Sequence, residues 1–306
     1  MIKKLTNLAS GWKPGTAADY KKCFDLYGGN FITHPEVLAF LHSRLDCRPH
    51  YSIKRNRNGT LLGAFCSWRN SNFACDGKTA KAIKLGHYQF NKDEITLPFH
   101  PKLRIALPFK TKILSSLNRR NVLNSSFKLN SHRAVCLAKG CGKDGFSSST
   151  KNSRKRELNK FIKAGGEIFD QSHFPPQELI TIYFDLFEKR WGHRPSHFLE
   201  TVDMFTSLRQ FLFGHILFLA GEPCAFQLIT KAESPKWINF DYVNGGYDQR
   251  HDSFCPGTIV TWLNVKSAYE LCEAVGKTMR YSFGKPTAGY KDRWCYQDPL
   301  GRVLSL

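Results

Sequence analysis

Apolar residues in the first half of the chain follow first a helical and then an alternating pattern. Thr33-His34-Pro35-Glu36 is typical of a helix start, with Thr33 as the cap, and apolar residues follow at helical spacing. Two apolar-rich segments then flank Asn58-Gly59, a dipeptide that accepts positive φ in a tight turn. The pattern predicts a helix followed by an antiparallel hairpin with strands 51–55 and 60–68.

A second amphipathic segment lies between residues 109 and 117. Phe109, Ile113 and Leu117 recur every four residues, and basic residues surround them. The spacing predicts a short helix, which would either pack in the interior or lie on an anionic lipid surface. The basic residues around it are Lys110, Lys112, Arg119 and Arg120.

The second half alternates helical and extended segments in a longer series. Gly165-Gly166 would end a basic helix, Pro175-Pro176 would begin the next, and Gly276 would end a long apolar one. The turn at Gly221-Glu222-Pro223 predicts a second hairpin. In chain order we predict helix 154–164, strand 167–170, helix 175–191, helix 199–212, strands 215–220, 224–230 and 237–243, helix 259–275 and strand 279–283.

A segment poor in apolar residues separates the two halves. Residues 140–153 are rich in Gly, Ser and Lys, a composition typical of a connection between packed units. We therefore predict a basic N-terminal domain, 1–145, and a C-terminal domain, 146–306. Because each half places a helix ahead of a hairpin, we expect an α+β fold, a mixed sheet flanked by helices, with a degenerate duplication between the halves.

Positive charge is concentrated in the first half. The chain of 306 residues carries 45 Lys and Arg against 25 Asp and Glu, a net charge of +20. Residues 1–150 hold 25 of the basic and 8 of the acidic residues, so +17 of this charge lies there. Such a field would gather phosphates, anionic lipid or nucleic acid on charge alone. No paired zinc ligands or basic region with heptads accompany it, which argues against specific DNA binding.

The cysteines and the apolar runs of the sequence indicate in which cellular compartment the protein is expected. Ten cysteines in 306 residues are too few for a disulfide scaffold, and several lie inside apolar runs, which predicts buried free thiols in a reducing environment. Residues 1–14 lack the apolar stretch of a signal peptide. The nearest approach to a membrane span, 211–221, is interrupted by His215. We expect a cytoplasmic protein, at most peripheral on the membrane.

A candidate anion site lies where the long apolar helix begins. Pro256, Gly257 and Thr258 would form its first turn, where unpaired N–H groups and the helix dipole attract phosphate. A lone Pro-Gly pair is more often an ordinary helix start. Here, however, it follows a strand and a loop, the arrangement that receives a cofactor pyrophosphate. The glycine-rich consensus of ordinary acetyltransferases is missing.

Three residues beside the strands of the second half are candidates for catalysis. Lys291, which follows Tyr290, could place a cation beside a developing oxyanion. Asp241 and Tyr242 lie at the end of a central strand, where one could serve as a base and the other as a proton donor. Each also has an ordinary interpretation, as a solvated lysine, a structural hydrogen-bond acceptor and a packed aromatic ring.

Other familiar sites are excluded by their spacing. His193 and His197 lie four residues apart, but Pro195 stands between them and no third ligand is evident, so no metal site is predicted. The segment 140–144 lacks the first Gly and the final Ser or Thr of a phosphate loop, and no Gly-x-Ser-x-Gly elbow occurs. Hydrolase and kinase chemistry are therefore not indicated.

From residue 151 onward the chain resembles the divergent branch of the GNAT acyltransferase superfamily that contains cellulose-biosynthesis-type acetyltransferases and the Fem peptidoglycan aminoacyltransferases. The matching segments are the basic helix with Gly-Gly (154–166), Leu219-Ala220-Gly221-Glu222-Pro223 with Ala225-Phe226, 244–248, Pro256-Gly257, and Gly289-Tyr290-Lys291 ahead of Trp294. Over nearly its whole length, including Tyr27-Gly28-Gly29-Asn30-Phe31 and Thr33-His34-Pro35, it is similar to the macrophage-inducible Mig-type family of Gram-negative bacteria.

These resemblances imply two tandem GNAT-like halves, the first degenerate, in a protein at the inner membrane that promotes resistance to cationic antimicrobial peptides. They imply an acyl-CoA or aminoacyl donor at Pro256-Gly257, no metal, and transfer to an amine of an envelope precursor or cationic peptide, with Lys291 stabilising the tetrahedral intermediate. Two alternatives stay open. One is a catalytically silent GNAT fold that binds anionic lipid or a partner through the basic half, and the other is a nucleic-acid-binding regulator.

Overall fold

A computed structural model describes residues 11–69, 72–76, 83–130 and 132–304. The helices are α1 (Ala17–Tyr27), α2 (Pro35–Arg44), α3 (Ser148–Lys163), α4 (Pro176–Trp191), α5 (Phe198–Ser207), α6 (Pro256–Ala274) and α7 (Lys291–Trp294). The strands are β1 (Lys13–Gly15), β2 (Pro49–Arg55), β3 (Leu61–Trp68), β4 (Asn72–Phe73), β5 (Thr111–Leu114), β6 (Ser125–Ser126), β7 (Ala134–Ala138), β8 (Gly166–Asp170), β9 (His215–Leu219), β10 (Glu222–Glu233), β11 (Trp237–Tyr247), β12 (Thr278–Ser282), β13 (Cys295–Pro299) and β14 (Gly301–Val303).

These strands form three sheets. Strands β1 to β4 make an antiparallel sheet in chain order, and α1 packs on β3. A seven-stranded mixed sheet has the order β13-β7-β12-β11-β10-β9-β8, and a small antiparallel sheet has the order β5-β14-β6. Helices α4 and α6 pack on the seven-stranded sheet. The expected α+β fold, with a mixed sheet flanked by helices, is confirmed.

The central strand β10 is buried on both faces. Phe226 and Leu228 join a core that includes α4 and continues into the first half, whereas Ile229 packs with Phe240 and residues of α6. Because successive side chains of a strand point to opposite faces, a strand between two helices reads as a continuous apolar run. The run Cys224–Thr230 in the sequence has this property, and every one of these residues is buried.

Two strands cross the predicted boundary between residues 145 and 146. β7 comes from the first half and lies between β13 and β12 in the seven-stranded sheet. β14 comes from the second half and lies between β5 and β6. The division into 1–145 and 146–306 stays a prediction, and each side of it contributes a strand to a sheet of the other.

Most of the predicted elements are present, with shifts at their ends. α2 begins at Pro35 as expected, but His34 is the cap, because its Nδ1 accepts from the N–H of Glu36, whereas the Thr33 hydroxyl bonds to Asn30. The helix expected over 199–212 ends earlier, at Ser207. The helix predicted at 109–117 is wrong. Its residues form β5 and a short turn, because β14 supplies strand partners that local spacing cannot reveal.

All ten cysteines are free thiols, and seven of them are buried. This confirms the prediction of free and largely buried thiols. No helix of the described residues is both long enough and apolar enough to span a bilayer. Residues 1–10, most of the stretch inspected for a signal peptide, lie outside the described residues.

Gly246 marks the closest approach of β11 to α4. A Cβ at this position would overlap the backbone carbonyl of Leu186. We expect Gly246→Ala to lower the free energy of unfolding by about 2 kcal/mol, because the helix backbone must move away. Urea unfolding measures the change. Gly86→Ala, where an added Cβ meets nothing within 4 Å, is the control and should stay within about 0.5 kcal/mol of wild type. Equal losses in the two variants would contradict the interpretation.

Candidate functional site

β11 and β12 are adjacent parallel strands that separate part-way along their length. They pair from Trp237 opposite Thr278 as far as Asp241 opposite Ser282. Beyond that point β11 continues to Tyr247 and pairs only with β10. A wedge-shaped gap, called the wedge below, therefore opens at the carboxyl ends of the two strands. The backbone of 242–247 on that side has no strand partner among the described residues.

After Ser282 the chain separates from β11 and stays bonded to β7 on its other side. The N–H of Phe283 donates to the carbonyl of Cys136, and the N–H of Cys136 donates to the carbonyl of Gly284. Helix α6 connects β11 to β12 and begins at the carboxyl end of β11. Crevices outside the carboxyl ends of parallel strands are where sheets of this kind bind ligands. The wedge is therefore the candidate site.

Lys291 lies beside the end of β12 with its ammonium buried. Its Nζ donates to the carbonyl oxygens of Phe283 at 2.7 Å and Lys285 at 2.6 Å, in the loop that follows the strand. Burial lowers the pKa of Lys291. Two of its three N–H groups thus hold the loop, and no described residue accepts the third. The ammonium does not point into bulk solvent, and its role in catalysis stays a prediction.

Asp241 carries a buried carboxyl at the point where the wedge opens, with 4% of the residue exposed. No described residue forms a hydrogen bond with this carboxyl. Burial and the negative charges of Glu94 and Asp93 raise its pKa to about 8, and the Arg280 guanidinium only partly opposes this shift. A carboxyl that titrates near neutral pH is suited to accept or donate a proton during catalysis.

Tyr242 follows Asp241 in the chain, and its side chain points to the opposite face of the sheet. Its ring packs edge-on to that of Phe283, with centroids 5.4 Å apart. Burial raises the pKa of Tyr242, and the nearby Arg190 guanidinium opposes the shift. Strand alternation therefore keeps the two candidates apart. A ligand that entered the gap between the strands would be open to both faces.

A buried charge cluster beside Asp241 was missed by sequence reasoning. Nη2 of Arg280 donates to Oε1 of Glu94 at 2.7 Å and to Oδ2 of Asp298 at 3.2 Å. Oε2 of Glu94, Nε of Arg280 and both amide atoms of Asn239 are buried and have no hydrogen-bond partner in the part of the chain that the structure describes. The available signal was Arg280 itself, a charge inside the apolar strand predicted over 279–283.

Asp93 joins this cluster to the loop that Lys291 holds. Its carboxylate accepts from the N–H of Lys285 at 3.3 Å and pairs with Nζ of Lys285 at 2.8 Å. Gly284, with φ +69°, permits this approach, because a Cβ there would lie 2.8 Å from Oδ2 of Asp93. Asp93-Glu94 is an adjacent acidic pair in the half of the chain that is poor in acids, a signal that could have been noticed.

The first turn of α6 is only partly available to a ligand. Cys255 precedes it at φ 53° and gives no side-chain cap, and its carbonyl accepts the N–H groups of both Thr258 and the next residue. Pro256 has no N–H, so only the N–H of Gly257 lacks a described backbone acceptor. The ring of Tyr247 lies over Gly257, where a Cβ would be 3.0 Å away. Pro256, Gly257 and Thr258 thus begin the helix as expected, and their contact with a cofactor stays a prediction.

A second cavity, of about 700 Å³, lies between the first half and the turn from β10 to β11. It is called the cationic groove below. Leu26, Leu97 and Leu117 give it apolar walls, and no Asp or Glu is among the residues that line it. Four cations line it, two of which follow the segment predicted as an amphipathic helix: Arg104, Arg119, Arg120 and Lys236.

The sequence model of the Mig-14 family matches residues 34–303. The chain belongs to the Mig-14 family. This confirms the resemblance noted from its motifs. No curated protein sequence matches the chain.

Solved structures extend the comparison of this Mig-14 family member. FemX is similar over 96% of this chain and 97% of that chain, at 9% identity and a TM-score of 0.56. L-PGS from Bacillus licheniformis is similar over 96% of this chain and 93% of that chain, at 11% identity and a TM-score of 0.47. A tandem GNAT protein from the clavulanic acid biosynthesis pathway is similar over 95% of this chain and 97% of that chain, at 9% identity and a TM-score of 0.42.

A DUF2156 C-terminal domain from Agrobacterium fabrum is similar over 55% of this chain and 58% of that domain's length, at 10% identity and a TM-score of 0.39. The likeness to FemX is the one that shows the fold. The chain shares the fold of FemX, which agrees with the expected mixed sheet flanked by helices.

Asp241 makes the stability of the protein depend on pH. Its carboxyl stays protonated in the folded state up to about pH 8, whereas in the unfolded chain it ionises near pH ~4. The folded state therefore binds one more proton between these values, and stability falls as the pH rises, by about 1.4 kcal/mol per pH unit.

We expect Asp241→Asn to match the wild type near pH 4 and to exceed its free energy of unfolding increasingly up to pH 8. Urea unfolding at a series of pH values measures the difference. Asp144→Asn, at an exposed site, is the control. A stability difference between Asp241→Asn and the wild type that does not change with pH would contradict this prediction.

Proposed function

We propose that this Mig-14 family member transfers an acyl or aminoacyl group from a thioester or ester donor to an amine of an envelope component or peptide. The observation that carries the proposal is the wedge, which has a buried ammonium beside one strand and a buried carboxyl on the other. The FemX-like fold supports it, because GNAT and Fem-type transferases are built on that fold.

The free edge of β11 suits the extended arm of such a donor. Backbone N–H and C=O groups of 242–247 that face the wedge would bond an extended chain as a further strand would. Donor phosphates would lie at Pro256, Gly257 and Thr258, where no described backbone group accepts the Gly257 N–H and cations are close by. Nζ of Lys160 bonds to the carbonyl of Ser253, and the Arg190 guanidinium lies 5.1 Å from the ring centre of Tyr247.

The transfer forms one bond and breaks another. The amine nitrogen attacks the donor carbonyl carbon, and the carbonyl oxygen takes the electron pair as an oxyanion, which the Lys291 ammonium stabilises. Collapse of this intermediate restores the carbonyl and expels the thiolate or alkoxide. The ionised form of Asp241, which its pKa of about 8 makes available near and above neutral pH, accepts the proton that the amine loses. Tyr242 supplies a proton to the leaving group, and each residue acts from its own face of β11. Atoms and charge balance without a metal.

Such a reaction connects the site to resistance against cationic peptides. Acylation of an amine removes a positive charge, so a modified peptide is less cationic, and aminoacylation of an envelope component changes the charge of that surface. In this proposal the protein works in the cytoplasm, peripheral to the inner membrane. The anionic lipid or envelope precursor would be met by the basic first half.

Lys291→Met tests the transfer step. The substitution keeps much of the side-chain volume and removes the ammonium. We expect transfer from labelled acyl-CoA or aminoacyl-tRNA to an envelope extract to fall about 100-fold or more, since one oxyanion donor is lost. Binding of the donor, followed by thermal shift, should persist.

Lys139→Met is the matched control for this variant. Nζ of Lys139 also donates to two backbone carbonyls, those of Asp292 and Arg293, but it does so at an exposed position. We expect this control to keep its transfer activity. Equal losses in the two variants would assign Lys291 a structural role only. A wild-type protein that neither binds nor uses any thioester or aminoacyl donor would refute the transferase proposal.

A second function, binding of anionic lipid without turnover, is favoured by the cationic groove. Its four cations face no lining carboxylate, and Leu26 and Leu117 on its walls are 50% and 38% exposed. A phosphate headgroup would meet the cations while hydrocarbon covers the leucines. This observation is independent of the wedge.

Charge reversal in the groove tests lipid binding. We expect Arg119→Glu with Arg120→Glu to weaken binding to phosphatidylglycerol vesicles, measured by flotation at low salt, at least about 30-fold, because each basic residue near an anionic surface contributes about 1 kcal/mol. Lys155→Glu with Arg156→Glu, at exposed positions of α3, changes the net charge equally and is the control. If both pairs lose flotation alike, charge alone is responsible. Absence of flotation by the wild type at every salt concentration would exclude this function.

A further inference from the structure

His87, His197 and Glu200 meet where the first half contacts the start of α5. Their ligand atoms all lie within 4.8 Å of one another. Oε1 of Glu200 is 3.6 Å from Nδ1 of His87 and 3.6 Å from Nδ1 of His197. The three side chains, called the His-Glu cluster below, are about one-third exposed. Sequence reasoning had paired His197 with His193 and found no third ligand.

These distances are too long for hydrogen bonds within the cluster. A separation of 3.6 Å between nitrogen and oxygen lies beyond hydrogen-bond range. It is close to the ligand-to-ligand edge of a tetrahedral zinc site, about 3.3 Å for bonds of about 2.0 Å. The three side chains therefore bring their ligand atoms close together without hydrogen bonds to one another.

The backbone holds the two histidines in strained turns. His197 has φ +66°, and Lys84, which precedes the short turn that carries His87, has φ +60°. Non-glycine residues in this region cost on the order of 1–3 kcal/mol and cluster at functional sites. His197 and Glu200 are three residues apart at the start of α5, so that both side chains rise from one face of the helix.

The two imidazole rings are stacked, with centroids 3.9 Å apart and planes 14° from parallel. Two imidazolium ions would repel each other in this arrangement, whereas neutral imidazoles can stack and are the form that a metal ion requires. To share one ion, each ring must turn about its Cβ–Cγ bond until both lone pairs meet. Side chains that are one-third exposed have room for this turn.

We propose that the His-Glu cluster binds one Zn²⁺ ion, with water in the remaining coordination position. Two imidazoles and one carboxylate are ligands that zinc takes, whereas Mg²⁺ and Ca²⁺ prefer oxygen. The ion fastens the turn carrying His87 to α5, 110 residues further along the chain. An ion pair between Arg44 and Asp203, at 2.8 Å, already joins α2 to the same helix. The proposal does not depend on the transferase function.

Zinc titration of chelator-stripped protein tests the proposal. Cys255→Ser is the background, because Cys255 is an exposed thiol that could bind zinc by itself. We expect one Zn²⁺ per chain by competition with a fluorescent chelator, and a rise in melting temperature on binding. Co²⁺ should give visible bands without thiolate charge transfer.

Two substitutions locate the ion. His197→Asn suits the left-handed backbone, and Glu200→Gln keeps the side-chain shape but removes the anionic ligand. We expect each to weaken zinc binding about 100-fold. His193→Asn is the control, because the ring of His193 lies against Phe187, outside the cluster, and should bind zinc as the background does.

Several results would overturn the proposal. They are the absence of zinc binding by the stripped background protein, an affinity that His197→Asn and Glu200→Gln leave unchanged, and thiolate bands with Co²⁺. If His197→Asn does not fold, Glu200→Gln decides, since its side chain is partly exposed and lies at the surface. Loss of zinc binding with intact donor binding would separate this site from the wedge.

Discussion

Beyond Ser282 the chain turns away from β11 and stays bonded to β7, its neighbour on the other side. This separation opens the wedge, because β11 then continues without a partner on that side. The strand that holds the diverging segment comes from the first half of the chain. Lys291 and Asp93 then fasten the loop after β12 from two directions. The position of the site and the pairing of the sheet are therefore a single structural feature.

Burial of the polar side chains on β11 and β12 carries a large desolvation free energy. Arg280 lies between Glu94 and Asp298, and several polar atoms around it have no hydrogen-bond partner among the described residues. Buried ion pairs contribute little net stability, because desolvation offsets their attraction, but removing one partner leaves a costly isolated charge. The cluster thus holds the first half and the sheet in one arrangement. Burial and the negative charge of Glu94 raise the pKa of Asp241 to about 8.

Elements with local signals could be predicted from the sequence, because caps, turn residues and helical spacing act over a few residues. The start of α2, the hairpin of β2 and β3, and the long helix α6 were found in this way. β5 was assigned as a helix, since its partner β14 lies nearly 190 residues later. Lys291 could be selected from its neighbours in the chain, Tyr290 and Trp294. The contact of Asp93 with Lys285 could not be predicted, because it joins segments that are distant in the sequence.

The interleaved strands also impose an order of events on the newly made chain. Domains generally fold one after another as they leave the ribosome. Here β5 and β6 have no central partner until residues 301–303 have emerged, and β7 waits for strands made more than 140 residues later. The first half therefore leaves the exit tunnel with open strand edges, and such edges are prone to aggregation. Completion of both sheets waits until residues 278–303 have emerged, and before that stage chaperones have a natural point of action.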